Sequence, residues 1–174
     1  MATEETARES RSTEAVARAY FDRIAAHDTA GMMELWEPGG IGNIHGIVEL
    51  RAPDTYSEWF GNLFEAFPDM RFEVLDVVSE DDRAAVRWRA TGTFNGTKPF
   101  EGLQPTGASV EMEGLDLLTI RDGRLVSNEA YTNSMELARQ LGALPPQGSV
   151  ADRGMASLFN LKTRLVDAVR SRRA

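Results

Sequence analysis

Cysteine is absent from this 174-residue chain, which excludes disulfide frameworks, cysteine-based zinc sites, CxxC redox motifs and thiolate nucleophiles. Histidine is nearly absent too. His27 and His45 are the only two, and neither stands in an HExxH-type array, so no metal site is expected. No apolar run approaches the roughly 20 residues of a membrane-crossing helix. The polar first dozen residues, with Glu4, Glu5 and Glu9, do not read as a signal peptide. Basic charge is short as well: 19 Lys and Arg against 27 Asp and Glu leave a net charge of −8. A nucleic-acid partner, which needs a basic face, is therefore not expected. GxSxG, P-loop and GxGxxG strings are missing, which removes triad hydrolases, P-loop enzymes and dinucleotide enzymes. Together these absences point to a reducing cytoplasmic setting, without membrane or nucleic acid as partner.

What is present suffices for one domain with a core of its own, at roughly 150 residues per domain. Residues 1–12 read as a polar mobile tail. A helix is expected from about Thr13, with Val16, Tyr20, Phe21 and Ile24 at helical spacing. After a break at His27-Asp28-Thr29, a short helix should bury Met32, Met33, Leu35 and Trp36. Pro38-Gly39-Gly40 should end it, before a strand from Ile41 to Ile47 that contains His45. Pro53 to Phe67 carries the clearest apolar stripe. From Met70 the period becomes two, with a phase break near Leu75 that suggests a bulge. Val86, Trp88 and Ala90 alternate with polar neighbours, and Asn95 to Ala108 is a Gly- and Pro-rich loop of the kind that forms lids. Ser134 is the expected cap of a helix from Met135 to Leu141. Residues 13–147 thus form the expected domain and 148–174 a helical extension. From Ser149 on, that extension holds six basic and two acidic residues, so the rest carries −12. Its amphipathic pattern suits packing on the body or on a partner subunit, with membrane or anionic-ligand contact as the other reading. Helices followed by antiparallel strands argue α+β, with a curved sheet wrapped around a helix and enclosing an apolar pocket.

Chemistry is sought where the pattern is broken. Asp122-Gly123 signals a two-residue hairpin turn between Ser109–Ile120 and Arg124–Asn133. If Arg121 pairs with Arg124, Asp116 faces Glu129, Gly114 faces Tyr131 and Met112 faces Asn133. All of them then lie on the mainly apolar face with Val110, Leu118, Ile120 and Leu125. Two opposed carboxylates in apolar surroundings raise at least one pKa, which suits a general acid or base. The alternatives are a bulge at Gly114 that turns Asp116 outward, or pairing of the acids with Arg87, Arg89 or backbone. His45 is either a pocket acid/base or a buried polar residue with a hydrogen-bonding neighbour. His27 suits the C-terminal end of a helix dipole. Trp36, Trp59, Phe60, Phe64 and Trp88 serve as core or as a ligand platform. Trp36, Phe60, Phe64, Trp88 and Met112 are the candidate substrate contacts.

Several strings are shared with a known family: Phe64-Glu65-Ala66-Phe67-Pro68-Asp69, Gly102 to Gly107 (GLQPTG), Val110 to Gly114, Arg121-Asp122-Gly123-Arg124 and Arg139-Gln140-Leu141-Gly142. On these the chain resembles the SnoaL-like polyketide cyclases of the nuclear transport factor 2-like superfamily, over about residues 13–147. The resemblance implies a cone-shaped α+β barrel, a deep apolar pocket for a hydrophobic small-molecule substrate, cofactor-free chemistry and a homodimer. It also implies an acid/base Asp closing the last strand, in an intramolecular aldol closure. That position is Asn133 here, and an amide does not exchange a proton at neutral pH. Glu129, four residues earlier, is expected to take over, with Tyr131 and Asn133 donating hydrogen bonds to the enolate. The expected function is thus a cyclase or isomerase acting on a hydrophobic carbonyl compound. A non-catalytic binding protein is the competing reading. An epoxide hydrolase is a third, although Gly114 stands where its arginine is required.

Overall fold

The computed structural model describes residues 13–171; the tail expected at residues 1–12 lies outside them. Helix α1 (Thr13–Ala25) buries Val16, Ala17, Tyr20, Phe21 and Ile24 along one stripe. Helix α2 (Thr29–Glu34) starts where Asp28 accepts the Gly31 N–H at 2.8 Å. It is shorter than expected. Leu35 is its C-cap and Trp36 already begins strand β1 (Trp36–Ile44). Pro38-Gly39-Gly40 therefore lies inside a strand, at a register irregularity between Trp36 and Ile41, and His45 falls just past the strand's end. After β2 (Val48–Arg51), helix α3 (Asp54–Ala66) buries Tyr56, Phe60, Leu63 and Ala66.

Strands β3 (Arg71–Glu80), β4 (Arg83–Thr93), β5 (Ser109–Arg121) and β6 (Arg124–Thr132) complete a six-stranded curved sheet of order β2-β1-β6-β5-β4-β3. The phase break in β3 is a bulge between Val74 and Asp76. The sheet is mixed, not wholly antiparallel as expected, because β1 pairs with β6 in parallel. That pairing is open to β1 because the long chain from Ile44 to Arg124 supplies the crossover that two parallel neighbours require. The inner face of the sheet closes on α1 and α3, and one core runs from Val16 to Leu141.

The β5–β6 hairpin decides what faces that core. Asp122 and Gly123 have φ of 49° and 73°, as a primed two-residue turn demands. Next to the turn the pairing is as expected, Arg121 with Arg124 and Ile120 with Leu125. Thr119 then pairs with Ser127, so Val126 is an extra residue in β6. One inserted residue exchanges the faces of everything beyond it. Asp116 opposes Ala130 and keeps its inward facing, whereas Asn128, Ala130 and Thr132 turn inward in place of Ser127, Glu129 and Tyr131. Helix α4 (Ser134–Gln140) follows, capped by Asn133 and not by Ser134. Helix α5 (Val150–Ser171) ends the described chain. No helix among the described residues is long and apolar enough to cross a membrane.

Candidate functional site

Between the sheet's inner face, α1 and α3 lies a cavity of about 80 Å³ walled almost entirely by apolar side chains, among them Phe21, Ile44, Phe60, Leu63, Met70, Phe72 and Met112. The 95–108 loop supplies part of the wall. Phe100 is buried against Trp59 and Phe67, with ring centroids 5.3 and 5.9 Å away, and Trp59 Nε1 donates to Glu101 Oε1 at 2.8 Å. Asp116 is the one carboxylate among the residues lining the cavity.

Asp116 is only 5% exposed. Its Oδ1 accepts the Trp88 indole N–H at 2.7 Å and its Oδ2 accepts the Asn128 amide at 2.7 Å. Burial pushes its pKa from 3.8 up to about 6; the two donated hydrogen bonds favour the carboxylate and hold the rise back. A carboxyl group so placed holds and releases a proton near neutrality. Asn128 (2% exposed) also lies within 3.4 Å of the Tyr56 hydroxyl, which is 2.7 Å from that of Tyr20. Burial raises both phenols well above their ordinary range, so each stays a neutral hydroxyl.

Two glycines make this arrangement possible. Gly114 on β5 opposes Trp88 on β4, and a Cβ there would overlap the indole ring. Without one, the indole has room against the strand, and its N–H donates to Asp116, two residues along. Gly42 gives the same room to the Tyr56 ring.

Of the expected catalytic residues, only Asp116 reaches the cavity. The facing expected for Glu129 is corrected by the bulge at Val126. Its side chain is 39% exposed on the outer face, where Oε2 lies 2.6 Å from His45 Nε2. His45 points outward as well and stacks on Tyr131 at 4.2 Å, so neither is a pocket group. Asn133 serves local structure, its Oδ1 accepting the Glu136 N–H at 3.1 Å as the cap of α4. Phe60, Trp88 and Met112 line the cavity as expected. Trp36 is packed behind it against Tyr56 (4.7 Å), and Phe64 stacks on His27 at 4.0 Å. His27 in turn donates from Nε2 to the Met70 carbonyl at 2.8 Å. No arginine is among the lining residues and Glu129 is outside, so the carboxylate–arginine set that epoxide opening requires is not assembled there. Among the described residues no cluster of three or more metal-ligating side chains occurs.

Asn128, Tyr56 and Thr132 are the site residues the sequence reading missed. The signal for Asn128 and Thr132 was energetic. With Asn128, Ala130 and Thr132 inside, the hairpin buries no second carboxylate, and the repulsion between opposed Asp116 and Glu129 disappears.

No curated protein matches this sequence. Among solved structures, AclR from Streptomyces galilaeus, a candidate hydroxylase, is 25% identical with a TM-score of 0.69, covering 95% of this chain and 99% of its own. IdmH from Streptomyces antibioticus, a candidate polyketide cyclase, is 26% identical with a TM-score of 0.61, over 75% of this chain and 99% of its own. A candidate SnoaL-like polyketide cyclase from Jannaschia sp. CCS1 shares the fold at 24% identity and a TM-score of 0.69, over 76% and 93% of the two chains. Residues 14–141 match the SnoaL-like polyketide cyclase family, and the chain belongs to that family.

Proposed function

We propose that this protein catalyses a cyclisation or isomerisation of an apolar carbonyl compound, with Asp116 as the proton shuttle. The observation that carries this reading is a lone carboxyl group in an apolar cavity, held near the pKa of a neutral-pH acid/base by burial. As carboxylate, Asp116 removes a proton from the carbon α to the carbonyl, and the electron pair moves onto the carbonyl oxygen as an enolate. In a cyclisation the enolate carbon attacks a second carbonyl carbon of the same molecule, and the proton returns to the new alkoxide. In an isomerisation the proton returns to a different carbon. Trp88 and Asn128 keep the carboxylate aimed and stop its pKa from rising further, while the apolar wall excludes competing water. The competing reading, a binding protein of the same fold, is favoured by Asn133, an amide at the family's acid/base position that here caps a helix.

The test is hydrogen–deuterium exchange at the α-carbon of a hydrophobic cyclic ketone such as 2-tetralone, followed by proton NMR in D2O. The protein should accelerate exchange, Asp116→Asn should lower the rate by about 10²- to 10⁴-fold, and Glu129→Gln should leave it unchanged. Equal rates for the native protein and Asp116→Asn would defeat the proposal and leave the binding-protein reading.

A further inference from the structure

The cavity as it stands is too small for a ring. It measures about 80 Å³, whereas an apolar protein cavity that holds one benzene molecule measures about 150 Å³. A cyclic ligand therefore fits beside Asp116 only if a wall side chain gives way. Strands of the sheet and helices α1 and α3 supply most of the wall, and their backbones are tied into ladders and helical turns. Phe100 differs. It is the one lining residue that comes from the 95–108 loop, and it is 5% exposed.

The loop is fastened by its backbone at the ends and by side chains alone in between. At the ends, the Phe94 N–H donates to the Ala108 carbonyl at 2.9 Å, the Gly107 N–H to the Phe94 carbonyl at 2.8 Å and the Gly96 N–H to the Ala66 carbonyl at 2.9 Å. Among the described residues, the only backbone pair made by residues 97–106 is internal: Phe100 and Leu103 exchange two bonds, of 3.0 and 2.9 Å, across Glu101-Gly102. Glu101 and Gly102 have φ of 48° and 78°, the signature of a primed two-residue turn. The tip is thus a small closed unit that moves without breaking a main-chain hydrogen bond to the body. Two side-chain contacts hold it from outside, Trp59 Nε1 donating to Glu101 Oε1 at 2.8 Å and Lys98 Nζ standing 2.6 Å from Glu65 Oε2. Glu101 and Lys98 are both exposed, so neither contact resists opening strongly. The main resistance is the buried Phe100 ring, whose exposure disfavours the open tip by about 10- to 100-fold.

We propose that Phe100 occupies the place of the ligand's ring and so sets the size of compound that the cavity admits. An apolar cyclic ketone binds only as the Phe100–Leu103 tip swings outward and carries the ring with it. The vacated space then joins the existing cavity into one chamber beneath Trp59, which stays on α3 and packs against Phe100 in the closed form at 5.3 Å. Every cyclic ligand bears this displacement, so the closed tip lowers the affinity for all of them by the same factor. The inference rests on the reading of the cavity as the substrate site.

The experiment is calorimetric titration of the full chain with 2-tetralone, on the native protein, on Phe100→Ala and on a form with the tip held shut. Phe100→Ala should bind about 10- to 100-fold more tightly than the native protein, because no ring has to leave, with circular dichroism checking that the variant is folded. For the shut form, the chain has no cysteine of its own, so Glu65→Cys with Lys98→Cys, joined by a bismaleimide that contains a disulfide, gives one defined bridge between α3 and the loop. That bridge leaves every lining residue in place. It should weaken binding at least 10-fold, and a reductant should restore it. Equal affinities of the native protein and Phe100→Ala overturn the proposal, as does a bridged protein that binds as well before reduction as after it. Absence of binding in all three forms overturns it too. The readout is binding and not turnover, so the proton-transfer reading can fail, with Asp116→Asn exchanging as fast as the native protein, while these results stand.

Discussion

Replacing Asp116 by Asn should cost activity and should remove a loss of stability that sets in as pH rises toward neutrality. The carboxyl group is ionised in the unfolded chain above its ordinary value of 3.8 and in the folded protein only above about 6. Because the folded pKa is the higher one, the folded state binds more protons between these values. The contribution of Asp116 to stability is therefore fully present below pH 3.8, falls as pH rises, and is gone above about 6. Across that interval, at 1.36 kcal/mol per pH unit, the loss amounts to about 3 kcal/mol. Asparagine does not titrate, so the variant is spared it. A constant cost is added, because the Asn128 amide must turn over to avoid opposing a second N–H donor. That cost does not vary with pH. Urea unfolding of both proteins from pH 4 to pH 8 should thus show the variant gaining on the native protein by about 2.5 kcal/mol, mostly between pH 4 and 6.5. Subtracting the two curves removes every other titrating group. A difference that stays flat with pH would refute the buried, perturbed carboxyl group.

Two further substitutions probe the supports of the site. Gly114→Ala places a methyl group against the Trp88 ring and should cost about 1–3 kcal/mol, read as a lower thermal midpoint and altered tryptophan fluorescence; no change in either would mean the indole is not held by that close approach. Asn133→Ala removes the cap of α4 and should cost about 1 kcal/mol, whereas Asn133→Asp should be neutral or slightly stabilising because a carboxylate suits a helix N-terminus. A thermal shift that ranks the two the other way would contradict the capping role.

Much of the architecture was legible because periodicity reports burial. The stripe of α3, the alternation of β4 around Val86, Trp88 and Ala90, the phase break in β3 and the Asp122-Gly123 turn all appear as read. The parallel β1–β6 pairing was not legible, since no local pattern encodes which distant strand becomes a neighbour. The site was half legible. Asp116 was placed on the inner face correctly because β5 pairs regularly with β4 along its length. Its partner was misassigned because Val126 carries no local sign of being extra. A bulge near the turn is invisible to alternation alone, yet it decides whether Glu129 or Asn128 meets Asp116. The balance of desolvation costs between those two registers was the better guide. Asn133 illustrates the other limit. Resemblance placed it at a catalytic position, while its geometry is that of a helix cap.

The titration of Asp116 itself, followed through its side-chain carboxyl ¹³C resonance in aspartate-labelled protein with Asp116→Asn as the assignment control, reports most directly on whether this cavity shelters a proton-exchanging group. A midpoint near 6 is expected; a midpoint at or below 4, as for a solvated aspartate, would contradict it.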